Sequence, residues 1–203
     1  MLIAASRLIG TPILSMQATS QIASISDCIV DPASLKIIGF KLSGPLVNKS
    51  AANILDASSI REYSRYGMVI DSIDELVEPD DVIKIANVLK LNFNLVGLRV
   101  ETKKGSKLGK VSDYIVTNDN FTVQQIIVKR PLIKSFMDPE LTIPRKEIVE
   151  VTDYKIIIKD EEKVIKEKAE KEEFIPNFVN PFRKSEQDLA PADNQNPADI
   201  DKQ

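Results

Sequence analysis

The sequence predicts a mainly β protein of two tandem units, followed by a C-terminal tail of different composition. Aliphatic residues alternate with polar ones in several stretches, which is the period-two pattern of strands. One stretch of the chain occurs twice, about 87 residues apart. We therefore expect a first unit at residues 1–78, a linker helix at 79–92, a second unit at 93–159, and a charged helix with a disordered acidic tail at 160–203.

The repeated stretch is clearest around a glycine near the start of each unit. The later copy reads Leu95-Val96-Gly97-Leu98-Arg99-Val100 and then Leu108-Gly109-Lys110-Val111-Ser112-Asp113-Tyr114-Ile115-Val116, and the earlier one reads Leu8-Ile9-Gly10-Thr11-Pro12-Ile13 and then Ile25-Ser26-Asp27-Cys28-Ile29-Val30. The offset is 87 residues for Gly10 and Gly97 and 86 for Asp27 and Asp113. It is 88 for Tyr66/Tyr154, Ile60/Ile148 and Val69/Ile157. A repeat of this size indicates tandem units rather than a solenoid, which needs at least three copies.

In the first unit the sequence predicts a hairpin and two later strands. Residues 23–31 alternate and predict a strand. The following Asp31-Pro32-Ala33-Ser34 has the composition of a tight turn, and residues 35–42 predict the returning strand. A short strand with a single turn is expected at 52–60, and a last short strand at 68–70.

Between the units the sequence predicts a helix of about 12 residues. Glu78-Pro79-Asp80-Asp81 resembles a helix start, with proline early and acids in the first turn. Apolar residues follow at helical spacing at Val82, Ile85, Ala86 and Leu89. We expect a connector that packs its apolar stripe on one unit; a helix that binds a partner is the alternative.

The second unit repeats these elements. Strands are predicted at 96–100, 108–116, 121–129, 141–144 and 154–158. The turn between the first two contains Gly105, a residue that adopts positive φ without steric cost.

Residues 160–203 differ from the body in charge. They hold 12 acidic and 7 basic residues, whereas the other 18 acids and 20 bases leave residues 1–159 nearly neutral. Alternating charges predict a solvated helix at the start of this region, and the Pro-, Asn- and Asp-rich remainder predicts disorder. Phe174, Phe178 and Phe182 lie among prolines, which is typical of a short docking peptide. Packing of this segment on the protein's own body is the alternative.

The second unit resembles the PRC-barrel domain. The residues that carry the resemblance are Leu95-Val96-Gly97, the Gly105 turn, Leu108-Gly109-Lys110-Val111, and a late Ile143-Pro144 with Ile148 and Val151. Residues 5–75 carry a looser copy, with Ala23 near the position of Gly109. This family is a small, strongly bent β-barrel found in the H subunit of photosynthetic reaction centres and in the ribosome-maturation factor RimM. The resemblance implies two tandem small β-barrels joined by a short helix.

The resemblance also implies structural roles for four residues. Gly97 and Gly109 would sit at sharp bends of strands, and Asp27 and Asp113 would accept backbone N–H groups from a turn. The barrel interior would contain Leu108, Val111, Ile115, Ile126, Val128, Ile148 and Ile157. The sequence has no counterpart of the H subunit's transmembrane helix or of RimM's distinct N-terminal barrel, so neither function carries over directly.

Side chains for catalysis and metal binding are scarce in the sequence. It has no His and a single Cys, which removes the commonest general base and the usual zinc ligands. The phosphate loops GxGxxG and GxxxxGK[ST] and the nucleophile elbow GxSxG are absent. Cys28, in an apolar strand-like run, is expected to be a buried inert thiol. We expect a non-enzymatic protein with no cofactor, no metal and no small-molecule substrate.

The leading functional hypothesis is a protein-binding scaffold, with the three tail phenylalanines as candidate partner contacts. The alternative is an RNA- or ribosome-associated factor similar to RimM in rRNA processing, with Lys103, Lys104 and Lys107 as candidate contacts. These lysines surround the Gly105 turn, and a solvated hairpin tip is the preferred interpretation of them. The nearly neutral body disfavours binding through phosphates.

Composition points to the cytoplasm. No stretch reaches the ~18 consecutive apolar residues of a membrane span, and the first residues lack the pattern of a signal peptide. A lone Cys28 forms no internal disulfide, which favours a reducing compartment.

Overall fold

The protein is mainly β, as the sequence predicts. The computed structural model describes residues 1–47, 51–64, 66–130 and 139–160. These residues form two mixed sheets of seven strands each, one short α-helix and several single turns of 3-10 helix. The chain begins with β1 (Leu2–Ala4), which belongs to the second sheet.

The first sheet is formed by the first half of the chain. Its strands are β2 (Pro12–Ser15), β3 (Ser20–Asp31), β4 (Lys36–Ser43), β5 (Ile54–Asp56), β6 (Glu62–Ser64), β7 (Gly67–Ile70) and β8 (Leu76–Val77). Their order across the sheet is β6-β7-β2-β3-β4-β5-β8. β2 and β7 are parallel, and the other neighbours are antiparallel. The predicted hairpin is confirmed as β3 and β4.

The second sheet is formed by the second half of the chain, with β1 added. Its other strands are β9 (Arg99–Thr102), β10 (Lys107–Thr117), β11 (Val123–Lys129), β12 (Glu140–Pro144), β13 (Ile148–Val151) and β14 (Lys155–Ile158). Their order is β12-β11-β10-β9-β14-β13, and β1 pairs with β10, where Leu2 lies opposite Thr117. β9 and β14 are the parallel pair.

The six strands β9 to β14 repeat the pairing of β2 to β7. The parallel pair shows this best: Ile13 lies opposite Met68 in the first sheet, and Val100 opposite Ile156 in the second. The offsets between these equivalent residues are 87 and 88. A 3-10 turn follows β5 at Ala57–Ser59 and β12 at Arg145–Glu147. In the described residues both sheets are open ladders with free edges.

One hydrophobic core connects the two sheets. Backbone hydrogen bonds cross between the hairpin tips, because the Ile37 N–H donates to the Phe121 carbonyl (3.0 Å) and the Val123 N–H to the Leu35 carbonyl (2.9 Å). The Phe121 ring packs edge-on against Phe40, with 5.4 Å between centroids. Met1–Val164 form one compact unit. The second unit, Ile165–Gln203, lies outside the described residues, and so do the charged helix and the disordered tail that the sequence predicts.

The predicted linker helix exists but is shorter than expected. It is α1 (Ile83–Lys90), eight residues long. The Glu78 N–H donates to the Asp81 carboxylate, and the Asp81 N–H returns to the Glu78 carbonyl, so this segment closes as a turn before the helix begins. Ile85 and Val88 of α1 pack on Ile29, Ile38 and Ile54 of the first sheet.

The expected barrel interior is partly wrong. Leu108, Val111, Ile126 and Val128 are buried, whereas Ile115, Ile148 and Ile157 are only half-buried. The register between β10 and β11 shifts twice, because Ser112 is an extra residue in β10 and Gln124 is an extra residue in β11. A one-residue slip moves side chains to the other face of a sheet.

The start of β9 also differs from prediction. The strand begins at Arg99 instead of Val96. Gly97 lies in the preceding turn with φ +94°, and its N–H donates to the Val111 carbonyl (2.8 Å). Gly97 is therefore a turn residue and not a bend within a strand.

Candidate functional site

A β-bulge interrupts the longest strand of each sheet at equivalent places. Ser26 is the extra residue of β3, and Ser112 the extra residue of β10. Each serine hydroxyl donates to a carbonyl on the neighbouring strand: Ser26 to Lys41 (3.1 Å) and Ser112 to Ile127 (3.2 Å). A bulge bends its strand and redirects the residues that follow. In both strands the next residue is an aspartate.

Asp27 and Asp113 hold the backbone just after each bulge. The Cys28 N–H donates to Asp27 Oδ1 (2.9 Å), and the Tyr114 N–H to Asp113 Oδ1 (2.8 Å). From the sequence we expect both carboxylates to accept backbone N–H groups from a turn. The structure places such a donor only at Asp113, which also receives the Ser6 N–H (3.2 Å) from the 3-10 turn after β1.

The two carboxylates differ in their remaining partners. Asp113 Oδ2 accepts the Ser6 hydroxyl at 2.6 Å. Asp27 Oδ2 instead pairs with the Lys41 ammonium at 2.9 Å, and half of the Asp27 side chain is exposed (50%). An exposed pair of this kind contributes little stability, about 0–1 kcal/mol. Asp113 is thus tied to the N-terminal segment, and Asp27 to the neighbouring strand of its own sheet.

Cys28 and Tyr114 meet between the two bulges, although they come from different sheets. The Tyr114 hydroxyl and the Cys28 thiol interact with each other. Burial, reinforced by Asp27 and Asp113, raises the pKa of Cys28 to about 12. Burial, with the Cys28 contact, also raises the pKa of Tyr114. Both groups are therefore neutral at pH 7, and Cys28 is a poor nucleophile.

A cleft of about 260 Å³ opens over this junction and is lined by both halves of the chain. Its rim includes Ile9 and Val96, which are equivalent residues and are both exposed (47% and 42%). The lining is Ala5, Ser6, Ile9, Asp27, Cys28, Val30, Phe93, Asn94, Leu95, Val96, Ser112, Asp113 and Tyr114. This set contains two carboxylates and no Lys or Arg. The cleft therefore offers an apolar surface with negative charge beside it.

The predicted lysines lie away from this cleft. Lys103 and Lys104 form the exposed turn between β9 and β10, and Lys107 begins β10. Arg99, Lys107 and Lys110 line a shallow depression of about 300 Å³ beside β9. Phe174, Phe178 and Phe182 lie outside the described residues.

Gly109 lies within β10, at a register shift with β9. Its φ is +153°, and a Cβ built there would stand 2.1 Å from the Lys129 carbonyl oxygen. Position 109 therefore requires glycine, because a side chain there would collide with the backbone of β11.

Sequence reasoning missed most of the cleft. The equivalent pairs Ile9/Val96 and Cys28/Tyr114 follow from the same offsets as Gly10/Gly97 and Asp27/Asp113, so extending the alignment of the two copies would have identified them. Ser6 and Phe93 are also related by the offset of 87, but they differ in type and so do not stand out as a repeated pair.

Neither a scan against protein-family models nor a search of curated proteins finds a match for this chain. No helix in the described part of the chain has the length and apolar character needed to cross a membrane. Among residues 1–47, 51–64, 66–130 and 139–160, no three His, Cys, Asp or Glu side chains are grouped to hold a metal ion.

Proposed function

We propose that this chain is a non-enzymatic protein-binding scaffold of the cytoplasm, built from two PRC-type barrels in tandem. The barrel assignment is supported by the pairing order that the two sheets share and by the parallel strand pair in each. Glycine at position 109, at a register shift of β10, fits the same assignment. The structural role of Asp113 is supported by the hydrogen bond that it accepts from the Ser6 N–H of the 3-10 turn after β1.

The observation that carries the binding proposal is the apolar cleft lined by both halves. Ile9 and Val96 expose apolar surface at its rim, and burying such surface drives association. The occupant that we propose is a short segment of a partner protein with a large apolar side chain next to a Lys or Arg. The apolar side chain would enter between Ile9 and Val96, and the cation would approach the half-exposed carboxylate of Asp27, beside its ion pair with Lys41.

Photo-crosslinking tests this proposal. Val96 is replaced by benzoylphenylalanine in the full chain, which is irradiated in cell extract. We expect an adduct that protease destroys and ribonuclease does not. Ile9→Asp should lower its yield at least about tenfold, which corresponds to the loss of one good apolar contact. The same probe at Met16, an exposed residue outside the cleft, is the control. A protein adduct no stronger at 96 than at 16 would reject the proposal.

The tail phenylalanines are a second proposed contact. Deletion of residues 174–184 separates the alternatives for this segment. If it binds a partner, the deletion weakens capture of the crosslinked protein. If it packs on this protein's own cleft, the deletion strengthens capture, because the competitor is removed.

A specific surface feature favours RNA binding as the second candidate function. The depression beside β9 gathers Arg99, Lys107 and Lys110 next to the exposed Lys103 and Lys104. Binding through phosphates would weaken steeply with salt. We would then expect salt-dependent binding of rRNA fragments that is lost in a K103E/K104E/K107E variant, and absence of binding at low salt rejects this candidate.

A further inference from the structure

Arg145 connects the two halves of the chain through backbone carbonyls. It is the first residue of the 3-10 turn after β12. Its guanidinium donates to the carbonyls of Ser34 (2.7 Å), Leu35 (3.2 Å) and Val123 (3.4 Å). The first two belong to the hairpin tip of the first half. The second half thus inserts an arginine beside the hairpin tip of the first.

The reciprocal position in the first half is Ala57. Ala57 is the first residue of the 3-10 turn after β5, which is the equivalent of β12. The pairing confirms the equivalence, since Asp56 lies opposite Gly39 and Pro144 opposite Gln125. Alanine is too short to reach the other hairpin tip.

A cavity stands where the missing side chain would lie. It has a volume of about 350 Å³ and is lined by Ala57 together with Asn120 and Phe121. By the offset of 86 residues, Asn120 and Phe121 are the equivalents of Ser34 and Leu35. The Phe121 carbonyl accepts the Ile37 N–H, and the equivalent Leu35 carbonyl accepts the Val123 N–H. The Leu35 carbonyl also accepts the Arg145 guanidinium, so one such carbonyl can take both donors. The Asn120 carbonyl receives no donor from the described residues.

We propose that the cavity beside Ala57 binds a guanidinium group, supplied by an arginine side chain of a protein partner. The Asn120 and Phe121 carbonyls would accept its N–H groups, as the Ser34 and Leu35 carbonyls accept those of Arg145. That the arginine comes from a protein rests on the proposed function. The preference for guanidinium does not, because it follows from the occupied site in the other half.

Carbonyl geometry, rather than net charge, accounts for this preference. The lining includes Asp56 and Asp119 but also Lys36 and Lys84. Their charges offset each other. The planar fork of guanidinium satisfies several acceptors at once, which the compact ammonium of lysine does less well. At the occupied site, too, the acceptors that Arg145 meets among the described residues are all backbone carbonyls.

The test uses the full chain and small probes, so that it is independent of any partner. Amide spectra are recorded with increasing N-acetyl-arginine amide, and then with the lysine and citrulline analogues. We expect saturable shifts at Ala57, Asn120 and Phe121 with the arginine probe, and binding weaker by at least about fivefold with the other two. Equal response to all three probes would overturn the proposal.

Two variants sharpen the test. Ala57→Arg supplies the side chain internally, so it should abolish the probe shifts and raise Tm by about 2–4 °C. Arg145→Ala empties the occupied site, so addition of the arginine probe should also shift the amide signals of Ser34 and Leu35. Persistent shifts at Asn120 in Ala57→Arg, or a lower Tm of that variant, would count against the proposal whether or not Arg145→Ala folds. Failure of the crosslinking experiment alone would leave the guanidinium site standing and reject only its protein source.

Discussion

The two halves of the chain relieve the same crowding between neighbouring strands at different positions. In the second sheet, Gly109 of β10 faces the Lys129 carbonyl of β11 too closely for a Cβ. In the first sheet, the residue of β3 equivalent to Gly109 is Ala23. The glycine here is Gly44, which lies across from Ala23. Gly44, just after β4, has φ +157° and lies so that its own Cβ would be 3.2 Å from the Ala23 Cα. The backbone pairing is the common feature, and the residue that accommodates it is not.

The hairpin tips show the same relation between shared backbone and different side chains. Leu35 and Phe121 end equivalent turns with φ of +48° and +53°, an uncommon conformation for residues with a side chain. Each N–H donates to a carbonyl four residues earlier, on Asp31 and Thr117. Both side chains are buried in the shared core. Burial of these side chains helps to hold the strained turns.

Gly109→Ala should have the largest effect among the changes that test this comparison. The new Cβ would stand 2.1 Å from the Lys129 oxygen, and φ of +153° is strained for alanine. The two nearest atoms both belong to the Lys129 backbone, which cannot move aside as the end of a flexible side chain can. We expect a loss of more than about 4 kcal/mol in the free energy of unfolding, measured by urea denaturation.

Gly44→Ala is the matched change in the first half. Its contacts of 3.2 and 3.3 Å to Ala23 and Ile22 are looser than those at Gly109, so we expect a smaller loss, about 2 kcal/mol. Gly97→Ala is the control for φ alone, because nothing lies within 4 Å of its Cβ. It should cost about 1 kcal/mol. Equal losses for all three would show that backbone conformation, and not contact, makes these positions glycine.

Asp113→Ala should destabilise the protein more than Asp27→Ala. Asp113 loses three hydrogen bonds, two of them from Ser6, and we expect about 2 kcal/mol. Asp27 loses one backbone bond and an exposed pair with Lys41, for which about 1 kcal/mol is expected. Thermal or urea unfolding measures both.

Ser6→Ala provides the control for that comparison. It removes only the hydroxyl bond to Asp113 and should cost about 1 kcal/mol. A larger loss for Asp27→Ala than for Asp113→Ala would mean that the bulge in the first sheet, and not the one in the second, depends on its carboxylate.

The sequence was sufficient for the position of most strands along the chain, and insufficient for their order across the sheets and for the sites. Alternation and turn residues locate β3, β4, β10 and β11, because these signals are local. The bulges at Ser26 and Ser112 were not visible, since a serine in a strand carries no sign that it is an extra residue. The resulting shift explains why Ile115 was wrongly assigned to the interior.

Contacts between the halves were beyond sequence reasoning for a different reason. Ser6 binds Asp113 across 107 residues, and Arg145 reaches Ser34 across 111. Neither residue stands in a recognisable motif, and each has a counterpart of another type in the other half: Phe93 for Ser6, by the offset of 87, and Ala57 for Arg145. The cavity beside Ala57 therefore depends on a difference between the two copies, which an alignment that looks for matching residues does not detect.

The smallest effect concerns the turns before the two hairpin tips, where Asp31 is the equivalent of Thr117. Burial opposes the charge of Asp31, but hydrogen bonds from the Ser34 hydroxyl (2.6 Å) and the Ala33 N–H (3.1 Å), with Lys84 nearby, lower its pKa below 3.8. A lowered pKa means that the fold favours the charged form. Its stabilisation is therefore present above the unfolded pKa and is lost as the pH falls through the folded one.

Asp31→Asn should consequently reduce the free energy of unfolding by about 1 kcal/mol at pH 6, and the difference from wild type should shrink as the pH falls below 3.8. Urea unfolding across this range measures it. Thr117→Val removes the equivalent hydroxyl, which accepts the Thr122 N–H, and its cost should not vary with pH because threonine does not titrate. If the two variants lose stability in parallel at every pH, the charge of Asp31 contributes nothing that a neutral side chain does not, and the two turns are equivalent in energy as well as in backbone.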